Sequence, residues 1–259
     1  MTIPFSKYHG TGNDFILIDD RKRSISLDSL QISRLCHRKY GIGGDGLIFL
    51  RSSSRGDFAM QIFNADGSEA EMCGNGLRCL LQFLKDLGEE DGEFQIETMK
   101  KIYPCATEEG KITVRMGLPQ IIEEKEEELL IEVGVPHLVV FVDDLSRFDT
   151  EARKRFSDLG VNINYVSLGP QNNLYMRTFE RGVEEETFSC GSGAAAACMA
   201  AWKRFGISGR VDVIFGSGES LNFEVVVQEG ELIDLVMSGE VSYVYSGEVL
   251  KLKEGMQAV

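Results

Sequence analysis

Apolar and polar positions alternate in short bursts along most of this chain, and the bursts predict strands more often than helices. FAMQIFN (58–64) alternates with the two-residue period of a half-buried strand, FILID (15–19) and LIFL (47–50) are short apolar runs of strand type, and FQIET (94–98) and KITVRMG (111–117) extend the series. Later come HLVVFV (137–142), INYVSL (163–168), NLYMRTFE (173–180), VDVIF (211–215), LNFEVVV (221–227), ELIDLVM (231–237) and SYVYS (242–246). Three stretches carry helical spacing instead: a basic and apolar segment over 27–40, LRCLLQFLKDLG ending at Gly88, and GAAAACMAAWKRFG ending at Gly206. The last is apolar on every side, which predicts a buried helix rather than a surface one.

Strands that adjoin in sequence favour an antiparallel sheet, and one central helix falls in each half of the chain. The expected class is therefore α+β: two similar halves, each a mostly antiparallel sheet curled around a helix. QIIEEKEEELLIE (120–132) is dense in charge and reads as a solvated connector between them. It divides the chain into 1–119 and 120–243.

Composition narrows the partners. Of 259 residues, 27 are Lys or Arg and 41 are Asp or Glu, for a formal net charge of −14. No basic stripe interrupts that negative field, which argues against nucleic acid and against an anionic membrane surface. The opening MTIPFSKYHGTGNDF lacks the charged and apolar regions of a signal peptide, and no apolar run has spanning length. The expected location is the cytoplasm, where the six cysteines stay reduced. No Cys-x-x-Cys occurs and the three histidines lie far from the cysteines in sequence, so the expectation is no metal.

Two stretches stand out against this background: EMCGNGLRC, holding Cys73, and FSCGSGAAAAC, holding Cys190. GIGGDG (41–46) precedes a strand rather than a helix, so it reads as a tight turn placing Asp45 and not as a dinucleotide loop. CGNGLRC puts Arg78 one position too early for a phosphatase Cys-x5-Arg loop. A single Cys-Gly-x-Gly corner reads as a turn with a buried thiol, but two copies, each at a predicted helix start, read differently. Unpaired N–H groups and the helix dipole favour anions there, and such a position lowers a thiol pKa from about 8.5 toward roughly 3.5–7.5. The same N–H groups can hold a carboxylate, and glycine lets a ligand come close.

If the corners face each other, two thiols flank the α-carbon of one bound amino acid. One thiolate takes the α-proton from one face while the other, as a thiol, returns a proton to the opposite face. Repulsion between neighbouring thiolates favours a pair holding one proton, and the fixed N–H dipoles stabilise the developing carbanion. No metal or pyridoxal group is needed. Glu180 beside Arg181 could grip an ammonium and a carboxylate, or could be a surface pair. Asn13, Asn64 and Asn162 could equally be turn residues.

The motifs KYHGTGNDFILID, RKYGIGGDGL, FNADGSEAEMCGNGLRC, PHLVVFV, VNINYV, RTFERG and CGSGAAAA, in that order over nearly the whole chain, resemble the diaminopimelate epimerase family. The resemblance implies two similar halves with the active site in the cleft between them, and a last strand, within about 244–259, returning to the first half. It implies Cys73 and Cys190 as the acid–base thiols, with Gly74, Asn75, Gly191 and Ser192 around the reacting carboxylate. Asn13, Asn64, Asn162, Glu180 and Arg181 then hold substrate, His137 and Glu180 tune the thiols, and Tyr245 lies at a homodimer contact. The implied reaction interconverts LL- and meso-2,6-diaminopimelate without a cofactor, in lysine and peptidoglycan precursor synthesis.

The chain also departs from the family. Val135 replaces an asparagine that helps bind the distal carboxylate, Gly46 stands where some relatives have glutamine, and one extra residue separates Glu180 from Cys190. Loss of a hydrogen bond to a charged group costs roughly 1.5–3 kcal/mol, so distal selection is expected to relax, with glutamate as a second substrate. A proline racemase or hydroxyproline epimerase shares the two-thiol logic but not the Asn-Asp-Phe start. A dithiol redox protein would need the two cysteines to bridge, and a binding module would need neither.

Overall fold

The computed structural model of the chain describes residues 2–147, 160–180, 186–187 and 189–250. The chain divides into two compact units, one drawn from the residues up to Val114 and from Glu240 onward, the other from Arg115–Gly239.

The first unit contains β1 (Thr2–Gly10), β2 (Asn13–Asp19), α1 (Ser29–Cys36), β3 (Gly46–Ser52), β4 (Phe58–Asn64), β5 (Glu69–Ala70), α2 (Gly74–Asp86), β6 (Gly92–Glu97), β7 (Ile102–Glu108) and β8 (Lys111–Arg115). Most neighbours pair antiparallel, but β2 runs parallel to β3 and β4 parallel to β6. The strands close on α2, whose Leu77, Arg78, Cys79, Leu80, Leu81 and Leu84 are fully buried. Asp28 starts α1 with a reciprocal cap: its side chain accepts from Gln31 N–H, and the Gln31 side chain accepts from Asp28 N–H.

The second unit contains β9 (Gln120–Glu124), β10 (Glu128–Glu132), β11 (Pro136–Phe141), β12 (Asn162–Leu168), β13 (Leu174–Phe179), β14 (Glu186–Thr187), α3 (Gly191–Phe205), β15 (Gly209–Phe215), β16 (Ser220–Gln228) and β17 (Glu231–Ser238). Its parallel pairs are β11–β12 and β13–β15, and the others are antiparallel. The succession of parallel and antiparallel pairs repeats that of the first unit, with α3 in the place of α2. Ala194 to Ala197, Cys198, Ala200 and Ala201 are fully buried, so small side chains let the sheet close around the helix, which ends at Gly206 with a left-handed φ of 69°. A last strand, β18 (Val241–Leu250), runs antiparallel along β1 in the first unit.

Three sequence expectations need correction. Residues 120–132 are not a solvated connector: they form β9 and β10, with Leu129, Leu130 and Ile131 buried between the charges. The helix expected over 27–40 is confined to Ser29–Cys36, and the chain beyond it turns back so that Gly41 N–H bonds His37 O. β1 and β7 were not expected; Pro104 breaks the apolar pattern of β7, yet sits exposed in a paired strand. No helix among the described residues is long and apolar enough to cross a membrane.

Candidate active site

Cys73 is the residue immediately before α2, in extended backbone (φ −143°, ψ 121°), and Cys190 stands in the same place before α3 (φ −138°, ψ 107°). Gly74 and Asn75, and likewise Gly191 and Ser192, are therefore the first residues of a helix, where N–H groups have no partner within the helix. The glycine-rich corner that the sequence repeats is the same local structure twice. All six cysteines are free thiols.

Around Cys73, the first unit builds a polar frame from β2 and the 41–45 turn. Asn13 Oδ1 lies 3.7 Å from Cys73 Sγ and accepts from Asn75 Nδ2 at 3.4 Å. Its Nδ2 donates to Asp45 at 2.7 Å, and Asp45 also accepts from the Asp14 N–H and from Arg38. Asp14 is gripped by both nitrogens of Arg38 and by the buried Lys7 at 2.8 Å. Burial pushes the Asp14 carboxyl up, but the hydrogen bonds and charges of Arg38 and Lys7 outweigh it and hold the group well below the usual carboxylate range. Arg78, wholly buried, donates to Thr11 Oγ1 at 3.1 Å and places a positive charge near Cys73. Asn64 lies exposed at the end of β4, where its Nδ2 donates to Ser68 Oγ.

Around Cys190 the surroundings differ in sign. The thiol is buried and accepts from Gly193 N–H at 3.4 Å, with Ser192 Oγ 3.6 Å away. Behind Ser192 stands His137, fully buried, its Nε2 2.9 Å from Ser192 Oγ. Asn162 is buried opposite His137 in the β11–β12 ladder. Glu180 follows β13, accepts from Thr187 Oγ1 at 2.9 Å, and faces the thiol. The helix start was expected to make this cysteine acidic, and that expectation is overturned. Burial, reinforced by the Glu180 charge, outweighs the donors Ser192 and Gly193 and raises the Cys190 thiol well above its ordinary value. The two thiols thus have unlike neighbours, a buried guanidinium beside Cys73 and a carboxylate beside Cys190.

Cys36, Cys79 and Cys105 are each pushed up to about 12, chiefly by burial, as befits thiols that fill space. Tyr245 lies on β18, partly exposed, its ring edge-on to Phe5 and its hydroxyl donating to Ile42 O at 3.1 Å. Val135 sits half-buried in the turn before β11. Arg181 lies outside the described residues. Among the described residues no group of three or more His, Cys, Asp or Glu side chains could hold a metal ion. Sequence reasoning passed over Arg78 as a site residue and missed Asn164, a polar residue inside a strand whose partners lie far along the chain.

The family model for diaminopimelate epimerase matches residues 5–122 and 129–244. A diaminopimelate epimerase of Methanothrix thermoacetophila is 40% identical over 248 residues, covering 85% of this chain and 88% of that protein. One from Nitratiruptor sp. is 39% identical over 222 residues, covering 83% and 88%. Among solved structures, a Bacillus anthracis protein of the phenazine biosynthesis PhzF family matches with a TM-score of 0.73 at 20% identity, covering 96% of this chain and 99% of that one. A hydroxyproline epimerase of Agrobacterium vitis matches with a TM-score of 0.70 at 14% identity, covering 96% and 92%. These structural likenesses show the fold alone.

Proposed function

The chain belongs to the diaminopimelate epimerase family and is an isomerase of that kind, and from this premise we propose how its residues invert an α-carbon of 2,6-diaminopimelate. The carrying observation is the repeated corner: two cysteines, each the residue before a buried helix, at the kind of helix start that favours an anion. The substrate carboxylate takes the N–H groups there, and Cys73 and Cys190 address opposite faces of the adjoining carbon.

In one direction a thiolate removes the α-proton, forming an S–H bond as the C–H bond breaks, and the electron pair moves into the carboxylate. Fixed N–H dipoles stabilise that charge without reorganising. The opposite thiol then gives its proton to the carbon and is left as thiolate, so the reaction is redox-neutral. Burial and Glu180 favour the protonated form of Cys190, so in this direction Cys190 is proposed as the acid and Cys73 as the base. Arg78 supplies a buried positive charge there. Product release leaves the charge on the other sulfur, and reverse turnover or proton exchange restores it.

Asn13, Asn64, Asn162, Glu180 and Arg181 are proposed to hold the rest of the substrate, and His137 and Glu180 to tune Cys190. With valine at position 135 the proposal extends to glutamate as a slower substrate; no glutamate turnover at millimolar concentration removes that extension. The proposed setting is a cytoplasmic homodimer joined near Tyr245, in lysine and peptidoglycan precursor synthesis. Cys73→Ala and Cys190→Ala test the assignment: each abolishes epimerisation, and full rates in either variant refute it.

A further inference from the structure

The internal repeat supplies its own control for what surrounds each thiol. In the first unit Ile48 of β3 pairs with Ile62 of β4, and both reach the helix start, where a Cβ on Gly76 would meet the Ile48 and Ile62 methyls at 3.0 and 3.2 Å. In the second unit the matching ladder pairs Asn164 of β12 with Thr178 of β13. A Cβ on Gly193 would there meet Asn164 Oδ1 at 2.4 Å and Cys190 Sγ at 3.2 Å. An apolar pair under Cys73 has thus become a polar pair under Cys190, fully buried in both members.

The orientation of the Asn164 amide follows from its neighbours. It faces the Leu138 carbonyl at 3.2 Å, which can only accept, so the group there is the NH2. Thr178 Oγ1 donates to the other end, Oδ1, at 3.1 Å. The second amide hydrogen points to His137 Nδ1 at 3.1 Å. That nitrogen must therefore offer a lone pair, which leaves the proton of the neutral ring on Nε2. Nε2 donates to Ser192 Oγ, and the serine hydrogen is free to point at Cys190 Sγ.

We propose that Asn164 is a positioning residue of the epimerase: it locks His137 in the Nε2–H tautomer so that Ser192 donates to the Cys190 sulfur. The device belongs to the second thiol alone, because isoleucines occupy the matching places beneath Cys73. It stabilises the Cys190 thiolate against the burial and the nearby carboxylate that oppose it, and so keeps the thiol able to act as a base as well as an acid. Its kinetic consequence rests on the two-thiol reading above; the tautomer itself does not.

The test labels the three histidines with 15N and reads the His137 ring nitrogens. The wild-type enzyme shows the attached proton on Nε2 and a bare Nδ1. Asn164→Asp, whose carboxylate can only accept, moves a proton onto Nδ1. The double variant Asn164→Ile/Thr178→Ile copies packing the chain already uses in its first unit, and leaves the two tautomers in exchange. Its kcat/KM for diaminopimelate falls about tenfold, equally in both directions. In a Ser192→Ala background the same double change costs no further activity, because the effect acts through Ser192, whereas a merely structural effect stays additive. A wild-type proton on Nδ1, an Asn164→Asp ring unchanged from wild type, or full additivity overturns the proposal. Absence of any epimerisation by the wild-type enzyme instead overturns the functional reading and leaves the tautomer result standing.

Discussion

Asp45 accepts a 2.7 Å hydrogen bond from Asn13 Nδ2, and this bond turns the Asn13 carbonyl oxygen toward Cys73. The carboxylate is itself held by Arg38, so the 41–45 turn orients a residue on β2. Asp45→Ala is expected to lower kcat/KM about tenfold, close to 1.4 kcal/mol, through a free Asn13 amide. Steady-state kinetics with circular dichroism as a folding control checks it; unchanged kinetics would mean that Asn13 needs no such restraint.

Gly76 and Gly193 occupy the same helical position in the two units but face different atoms. Alanine in a helix interior ordinarily gains about 1 kcal/mol over glycine. At Gly193 the new methyl would sit 2.4 Å from Asn164 Oδ1, whereas at Gly76 it would touch the ends of Ile48 and Ile62 at 3.0 and 3.2 Å. Gly193→Ala is expected to destabilise by about 1–3 kcal/mol, as overpacking does, and to lose most activity, while Gly76→Ala costs less. Urea midpoints of the two variants compare them, and the reverse order would contradict the contacts.

Buried thiols make stability fall in alkali. Cys36, Cys79 and Cys105 stay protonated in the folded state to about pH 12, while the unfolded chain ionises its thiols near pH 8.5. The folded state therefore binds more protons above that value, so stability is complete below it and declines as pH rises toward the folded pKa. Each such thiol removes up to about 1.4 kcal/mol per pH unit. The urea midpoint is expected to drop steeply between pH 8.5 and 10, and Cys105→Ala to flatten the slope by one thiol's share. A constant midpoint over that range would contradict the burial.

Val135 tests the distal end of the substrate. Restoring asparagine there is expected to lower KM for diaminopimelate about tenfold with kcat within about twofold, the pattern of a gain in uniform binding. Glutamate turnover should fall relative to diaminopimelate. An unchanged KM would place distal recognition elsewhere.

Much of this arrangement is legible in the sequence because it is local. Gly88 and Gly206 mark helix ends, alternation marks most strands, and the doubled Cys-Gly-x-Gly corner declares both thiols. What escapes is set by partners far along the chain. Leu129 to Ile131 look solvated among glutamates, yet they fill a core assembled from other strands. Asn164 reads as an ordinary strand position until β11 brings Leu138 and His137 against it. The acidity expected of Cys190 fails for the same reason: the helix start is local, but the burial and the Glu180 carboxylate that outweigh it come from the folded unit.

The most direct test of the two-thiol account is deuterium incorporation at the α-carbon during the first few per cent of reaction in D2O. If one thiol removes the proton and the other supplies its replacement, the inverted product carries deuterium while recovered substrate remains unlabelled. Label accumulating in recovered substrate as fast as in product would mean that a single group exchanges its proton with solvent and serves both faces, and the assignment of Cys73 and Cys190 to opposite faces would be wrong.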